Sequence, residues 1–335
     1  MIEAKINHLH NLKLKLSDKK ELDKITDKVS QSNRWFNPYN VRFCLDHILS
    51  NYLDRDKLSM WLEDYELSNW KSSDKCVGQI MAGNIPLVGL HDFICAYVLD
   101  FKQEIKLSSK DHLLFSYIYQ KLSDSDPELG QRVQIVDKLK NFDCVIATGS
   151  NNSNRYFEYY FRDKPKVLRK NRNSVAVIDG SENKADLQLL SEDIFRYFGL
   201  GCRSVSKIYL PEKYDLAEII DQTDQFSWMK DHSSYMHNFD YNLSLLILNS
   251  RNYLANEFSI WVEDQSLASP LATVHYEYYT DKDALLSELS QQMDDIQCLV
   301  GKKEESNVIA YGNSQKPSLS DYADNVDIIE FLIKS

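Results

Sequence analysis

Two short apolar segments, each followed by a small polar turn and then by a helical pattern, limit what this chain can fold into. Residues 77–86 form the first segment and residues 142–150 form the second. Apolar residues at helical spacing follow them, at 87–98 and at 152–160. Alternation of buried strands with helices is typical of a parallel sheet covered by helices on both faces. The sequence therefore predicts an α/β fold.

The ends of these two predicted strands are candidate binding positions. Parallel α/β sheets bind ligands at the carboxyl ends of their strands. Asn84 falls at the end of the first segment, and Thr148, Gly149 and Ser150 end the second. An asparagine near a proline, as Asn84 is, is also a common turn residue, so its position alone does not make it functional.

The remaining segments extend the same alternation. Residues 1 to about 70 show helical spacing of leucines among charged residues. A helix opened by serine capping is expected at 111–122, and another from Leu129 to about Leu139. The other expected strands are 167–169, 174–179, 207–211, 259–262, 272–279, 297–300 and 308–311, and the other expected helices are 213–222, 232–250 and 283–293.

The stretch around Cys202 is a candidate nucleophile site. A helical pattern formed by Leu190, Ile194, Tyr197 and Phe198 runs into Gly199 and Gly201, and Cys202 follows at once. Glycine ends helices because it tolerates positive φ. A cysteine between a helix and a strand can have unpaired backbone N–H groups beside it, which suits a nucleophile that needs an oxyanion site. Taken alone, the stretch favours the other interpretation, a buried structural cysteine.

Composition excludes several classes of function. The 335 residues suffice for two domains, and the net charge of −11 argues against broad nucleic-acid binding. The six cysteines form no C-x-x-C pair or other metal spacing, so no metal is expected. The first residues contain no apolar segment of a signal peptide, and no run approaches the length of a membrane span. These patterns predict a cytoplasmic protein with free thiols.

The order of these elements resembles the aldehyde dehydrogenase superfamily. The closer likeness is to its acyl-CoA reductase branch, the family of the fatty-acid reductase of bacterial luminescence. It implies an aldehyde-dehydrogenase-like fold: two lobes, each with a mostly parallel sheet flanked by helices, and a short helical N-terminal region. The segments that carry the resemblance are 81–86, 146–150, 175–180, 193–195, 198–204, 313–317 and 321–324.

The resemblance implies catalytic roles for two residues. Cys202 would be the nucleophile that takes the acyl group from a thioester. Asn84 would donate its side-chain amide to the oxyanion. Arg203 could help to lower the pKa of the Cys202 thiol, or it could be a solvated or salt-bridged arginine.

The resemblance also implies cofactor contacts. Lys106, Ser108 and Ser109 match a segment that meets the adenosine ribose, although a lysine at such a position is as often solvated. Relatives that prefer NAD have an acid where this chain has Ser109, so NADPH is expected, with NADH as the alternative. The run 148–150 matches the segment that meets the cofactor pyrophosphate.

Two departures from the superfamily bear on the reaction. Its general-base glutamate would fall near residues 168–171, which contain no acid, and its Glu-x-Phe-Gly-Pro segment appears as residues 266–270, with Asp264 nearby. An aldehyde oxidiser needs a base to activate water against the acyl-enzyme. A reductase does not, because a thiol leaves and a hydride arrives. The missing acid therefore favours reduction.

The resemblance and the residues together predict NADPH-dependent reduction of a fatty acyl-CoA, or another acyl thioester, to an aldehyde. The alternatives are a catalytically inactive binding or assembly subunit and a thiol acyl carrier. Expected partners are a second copy of the chain or an acyl-donating enzyme. The expected domains are 1–173, a helical N-terminus with a dinucleotide-binding domain; 174–310, a catalytic domain carrying the cysteine; and 311–335, a tail returning to the first domain or to a subunit contact.

Overall fold

The computed structural model describes residues 1–72, 74–302 and 307–335. The chain divides into two compact units. The first unit comprises Met1–Asn171 and Pro317–Ser335, and the second unit comprises Arg172–Lys316. The roles given above to the segments 1–173, 174–310 and 311–335 stay predictions.

Helices and strands alternate along most of the chain. The α-helices are α1 (Ile2–Leu16), α2 (Lys19–Ser32), α3 (Pro38–His47), α4 (Arg55–Glu63), α5 (Leu90–Val98), α6 (His112–Ser123), α7 (Leu129–Arg132), α8 (Asn151–Tyr160), α9 (Lys184–Phe195), α10 (Ala217–Ile220), α11 (Ser233–Leu248), α12 (Lys282–Gln291) and α13 (Ile328–Lys334). The strands are β1 (Cys76–Ile80), β2 (Lys102–Lys106), β3 (Val133–Ile135), β4 (Cys144–Thr148), β5 (Lys166–Arg169), β6 (Asn173–Val177), β7 (Val205–Pro211), β8 (Leu254–Ala255), β9 (Ile260–Glu263), β10 (Thr273–Tyr279), β11 (Ile296–Gly301) and β12 (Val308–Ala310).

The first unit is built on a five-stranded sheet in the order β3-β2-β1-β4-β5. Every pair of neighbours is parallel. Val77 in the central strand aligns with Gln103 of β2 on one side and with Cys144 of β4 on the other. Because the strands are parallel, the turns that follow β2, β1 and β4 lie at one edge of the sheet.

The N-terminal helices pack against this unit as the leucine spacing predicts. Leu9, Leu12 and Leu16 lie on the same face of α1 and are almost fully buried. They belong to a helix that contacts α4, α5 and α6. The carboxylate of Asp18 begins α2 by accepting backbone N–H groups, and Asn37 begins α3 in the same way.

The helix predicted from Leu129 to Leu139 is wrong beyond Arg132. The chain leaves α7 after one turn and becomes β3, which pairs with β2. Val133 and Ile135 are β-branched and suit a strand, and Gly130 weakens the helix. Residues 133–135 form a strand and not a helix because β2 offers them an open sheet edge. The spacing of apolar residues does not reveal such an edge.

The second unit has a seven-stranded sheet in the order β12-β11-β6-β7-β10-β9-β8. Its strands are parallel except for the short edge strand β8, which runs antiparallel to β9. Its core includes Val175, Tyr209, Leu289 and Ile296, which pack α12 against β6, β7 and β11. The helix predicted at 213–222 is a single turn, α10.

Candidate active site

Cys202 follows a strained turn. Helix α9 begins with a capping box made by Asn183 and Asp186, and it ends at Phe195. Tyr197 and Phe198 have φ values of 57° and 60°, and Gly199 has a φ of 72°. The prediction that Tyr197 and Phe198 continue the helix is therefore wrong.

Aromatic packing holds this turn in place. Non-glycine residues in left-handed backbone cost of order 1–3 kcal/mol each, so the surroundings must fix them. The Phe198 ring is buried, with the rings of Trp228, His232 and Tyr235 at centroid distances of 5.4, 4.5 and 5.7 Å. The chain reversal before Cys202 is thus stabilised by burial of one of its strained residues.

Cys202 itself lies in the turn between Gly199 and β7, as predicted. Its side chain is partly exposed. Its carbonyl oxygen accepts a hydrogen bond of 2.9 Å from the hydroxyl of Ser174, a fully buried residue of β6. The backbone N–H of Ser204 donates to the carbonyl of Gly201 at 3.0 Å. These bonds fix the main chain on both sides of the sulfur.

Arg203 contacts a second cysteine. Its Nη1 lies 3.4 Å from Sγ of Cys298, which is buried in β11. The suggested effect of Arg203 on the pKa of Cys202 stays a hypothesis.

A buried polar network supports the far side of this turn. The Asp193 carboxylate in α9 accepts the backbone N–H groups of Gly312 at 2.6 Å and Ser314 at 2.9 Å. Gln315 then donates its Nε2 to Ser204 Oγ at 3.1 Å. Burial raises the pKa of Asp193 to about 6, although its hydrogen bonds oppose that rise. No sequence motif indicated this network, because each of its hydrogen bonds joins residues more than 100 positions apart.

In the first unit, the predicted cofactor residues and Asn84 gather at one edge of the sheet. Asn84 follows β1, the run 148–150 follows β4, and Lys106, Ser108 and Ser109 follow β2. Asn84, Lys106 and Ser109 are exposed. The three turns belong to adjacent parallel strands, whereas Cys202 belongs to the second unit.

The turn after β4 opens directly into a helix. The Ser150 side chain caps α8 by accepting the backbone N–H of Ser153 at 3.3 Å. A Cβ on Gly149 would lie 2.9 Å from both the Phe157 ring and the Ser153 Cβ, so this close approach needs glycine. The Asn154 amide donates to the carbonyl of Arg169 at 2.8 Å and ties the helix to β5.

The turn after β1 packs tightly on the turn after β2. The N–H of Met81 donates to the carbonyl of Lys106 at 3.0 Å. A Cβ on Gly83 would lie 2.5 Å from Ser108 Oγ, so Gly83 allows the two turns to touch. The residue next to Asn84 is therefore fixed against the Ser108 side chain.

Residues 168–171, near which the superfamily base was expected, contribute Arg169 to a buried ion pair. Arg169 at the end of β5 meets Asp92 of α5, with Nη2 2.7 Å from Oδ1 and a second bond from Nη1 to Oδ2. Both side chains are at most 7% exposed. The sequence predicted the missing acid but not the pair.

Asp264, which lies near the segment 266–270, makes hydrogen bonds with neighbouring residues. The Asp264 carboxylate accepts the N–H of Ser266 at 2.9 Å and contacts Arg251 at 2.9 Å. These bonds lower the pKa of Asp264, the N–H bond most strongly.

Other classes of site find no support in the part of the chain that is described. No group of three or more His, Cys, Asp or Glu side chains there could hold a metal ion. No helix among residues 1–72, 74–302 and 307–335 is both long and apolar enough to cross a membrane. All six cysteines have free thiols.

Similar solved structures are aldehyde dehydrogenases. Aldehyde dehydrogenase 21 from Physcomitrella patens, in complex with the reaction product succinate, matches with a TM-score of 0.72 at 12% identity, over 100% of this chain and 84% of that one. The NAD⁺ complex of an aldehyde dehydrogenase from Bacillus cereus matches with a TM-score of 0.67 at 11% identity, over 91% and 72%. A cysteine-to-alanine mutant of aldehyde dehydrogenase C from Pseudomonas syringae, with NAD⁺ and octanal, matches with a TM-score of 0.64 at 13% identity, over 91% and 72%. The predicted aldehyde-dehydrogenase-like fold is confirmed.

Comparison of the sequence with family models identifies the family of the chain. A search of curated proteins finds no match. The family model described as acyl-CoA reductase (LuxC) matches residues 3–223, a range that contains Asn84, the 148–150 turn and Cys202. This match covers more than half of the chain and confirms the predicted resemblance. The chain therefore belongs to the acyl-CoA reductase (LuxC) family.

Proposed function

We propose that this protein reduces a fatty acyl thioester, such as an acyl-CoA, to an aldehyde, with NADPH as reductant and Cys202 as the acyl carrier. The observation that carries the proposal is Cys202 in a fixed, partly exposed turn between α9 and β7, in a member of an acyl-CoA reductase family. Two of the similar dehydrogenases described above hold NAD⁺, and one of these also holds octanal.

The first half of the reaction belongs to Cys202. Its thiolate attacks the thioester carbonyl carbon, and the bond from that carbon to the coenzyme A sulfur breaks. The coenzyme A thiolate leaves and takes up a proton, so one thioester replaces another at little cost in free energy. Asn84, as the family resemblance implies, donates its amide N–H to the oxyanion.

The edge of the first sheet fits a dinucleotide. Gly149 directly precedes Ser150, the residue that caps α8, and the N-terminus of this helix favours a phosphate group. Lys106, Ser108 and Ser109 would meet the adenosine end. The cofactor, when bound, supplies the hydride that reduces the acyl group on Cys202. Collapse of the reduced adduct then frees the aldehyde and returns the thiolate to Cys202.

The Arg169–Asp92 pair supports reduction over aldehyde oxidation. Oxidation needs a base that activates water against the acyl-enzyme. Arg169 lies within residues 168–171, near which the family resemblance implies that base, and the carboxylate that it meets, Asp92, is held by two hydrogen bonds. Without water attack, the acyl-cysteine persists until hydride arrives.

The test mixes the protein with NADPH and a long-chain acyl-CoA. Reduction predicts a fall in the near-ultraviolet absorbance of the reduced cofactor, with release of the aldehyde. An acyl group found on Cys202 by mass spectrometry, without cofactor consumption, would favour the acyl-carrier alternative. A protein that shows neither effect would be a non-catalytic subunit.

Loss of the proposed oxyanion donor should slow the chemical step. Asn84→Ala is expected to lower kcat by about 10²- to 10³-fold, because one oxyanion donor contributes roughly 3 kcal/mol to the barrier. The KM for acyl-CoA should change little. Asn249→Ala, at an exposed residue that ends α11, is the control and should keep full activity. An unaltered kcat in Asn84→Ala would remove Asn84 from the mechanism.

Cofactor preference should depend on Ser109. A carboxylate introduced by Ser109→Glu would repel a 2′-phosphate, so kcat/KM for NADPH should fall about 10-fold relative to NADH. Ser109→Ala should leave that ratio unchanged. Steady-state rates with both cofactors measure the effect, and equal responses of the two cofactors would contradict the assignment.

A further inference from the structure

Asp111 is used in an unexpected way at the sheet edge that carries Asn84. It precedes α6 directly, where a short polar side chain usually accepts an N–H of the first helical turn. Its side chain makes no such capping bond. Instead, Oδ2 accepts the backbone N–H of Leu87 at 2.6 Å. The serine capping predicted for this helix is therefore wrong, and the carboxylate is directed towards another turn.

Leu87 belongs to the turn that presents Asn84. This turn runs from the end of β1 to the start of α5, and Leu87 has a φ of 57°, which is strained for a leucine. Between Asn84 and Leu87 lie only Ile85 and Pro86, and the proline ring fixes its own φ. The position and direction of the main chain at Asn84 therefore depend on the contacts that fix Leu87.

Other contacts fix the turn on either side of Asn84. Met81 is bonded to Lys106, and Cys44 Sγ lies 3.4 Å from the Pro86 carbonyl oxygen. Asn84 is exposed between these buried anchors. Unlike these two contacts, the bond from Leu87 to Asp111 involves a carboxylate.

Burial of the Asp111 carboxylate costs free energy, because the group loses its contact with water. The residue is only 7% exposed, and its Oδ1 is buried with no hydrogen-bond partner among the described residues. Burial raises the pKa of Asp111 to about 7, and the Leu87 bond opposes that rise. Its charged or titratable chain neighbours are Lys110, which is exposed, and His112, whose Nδ1 lies 2.9 Å from the Ser109 carbonyl. Asp111 is thus a buried carboxylate beside a candidate site, and only one of its two oxygens accepts a hydrogen bond from the described residues. Such a group calls for a functional explanation.

We propose that Asp111 is a positioning residue, whose carboxylate holds the Leu87 N–H and thereby sets the turn that presents the Asn84 amide. This inference rests on the proposed role of Asn84 as oxyanion donor. Asp111 acts through main chain and makes no contact with substrate in this role.

A double-mutant cycle tests the connection. Asp111→Ala is expected to lower kcat about 10-fold and to leave the KM for acyl-CoA within about 2-fold, because a misplaced oxyanion donor affects the transition state. In the Asn84→Ala background, Asp111→Ala should have no further effect on kcat. Equal effects in both backgrounds would overturn the proposal while the function stands.

The pH profile separates positioning from a merely structural role. Asp111→Asn keeps an acceptor for the Leu87 N–H but cannot ionise. In the wild type, kcat should fall below pH 7, because the protonated carboxyl of Asp111 is a weaker, neutral acceptor for the Leu87 N–H than the carboxylate. Asp111→Asn has a neutral acceptor at every pH, so its kcat should stay at the lower value and lack that step. Because the folded-state pKa is raised, the contribution of Asp111 to stability changes in the other direction and is lost as the pH rises towards 7. A profile shared by both proteins would contradict the proposal.

Amide exchange keeps the inference independent of the assay. The Leu87 N–H should exchange about 10-fold faster or more in Asp111→Ala than in the wild type. Asp124→Ala, at an exposed residue that ends α6, is the control and should leave that rate and kcat unchanged. If the wild type reduces no thioester, the proposed function fails and the positioning role falls with it, even where the exchange result holds. Unchanged exchange in Asp111→Ala would overturn the anchor itself.

Discussion

Cys202→Ala is expected to lose thioester reduction by at least about 10³-fold, the largest effect on activity predicted for this chain. The physical reason is that the sulfur is the atom that takes the acyl group. Without it, no acyl-enzyme forms and hydride has no bound acceptor. Steady-state consumption of NADPH with a panel of acyl-CoA substrates measures the loss.

A matched cysteine variant separates this effect from general loss of a thiol. Cys76 in β1 is the other cysteine that is partly exposed. Burial raises the pKa of its thiol to about 11, so very little thiolate is present at neutral pH. Cys76→Ala should therefore keep its activity. Mass spectrometry should find an acyl adduct in the wild type and in Cys76→Ala but not in Cys202→Ala, and turnover by Cys202→Ala would remove the cysteine from the mechanism.

The largest effect on stability is expected at the Asp92–Arg169 pair. Arg169→Met alone should lower the free energy of unfolding by about 3–5 kcal/mol, because it leaves a buried carboxylate without its partner. Replacing both members, Asp92→Leu with Arg169→Met, should restore most of that loss, since neither charge is then buried. Urea unfolding followed by tryptophan fluorescence measures all three proteins.

An exposed pair in the same unit is the control. Arg162 and Asp163 lie 3.2 Å apart, with side chains 67% and 84% exposed. Arg162→Met should change the free energy of unfolding by less than about 1 kcal/mol, because solvent screens the pair. If Arg169→Met and Arg162→Met had equal effects, the buried pair would not contribute as argued here.

Much of the framework could be predicted from sequence because it depends on local patterns. Apolar segments ending in small polar turns predicted β1 and β4, and the helical spacing after them predicted α5 and α8. The resemblance of several motifs, in their order along the chain, to a known family predicted the aldehyde-dehydrogenase-like fold and the acyl-CoA reductase family.

Where a prediction from local sequence was wrong, contact with a distant element had determined the conformation. Residues 133–135 left their predicted helix because β2 offered an open edge. Tyr197 and Phe198 left theirs because rings from a later segment bury Phe198 in a left-handed turn.

The amino-acid sequence by itself determined the alternation of strands and helices, the candidate nucleophile and the absence of the superfamily base. Only the tertiary structure decided that Arg169 meets Asp92, that Asp193 supports the turn beside Cys202, and that Asp111 holds Leu87. The physical reason is the separation in sequence between the residues that interact. Periodicity records which side chains are buried, whereas the partner of a buried charge is chosen by whichever distant segment the fold brings within hydrogen-bond distance.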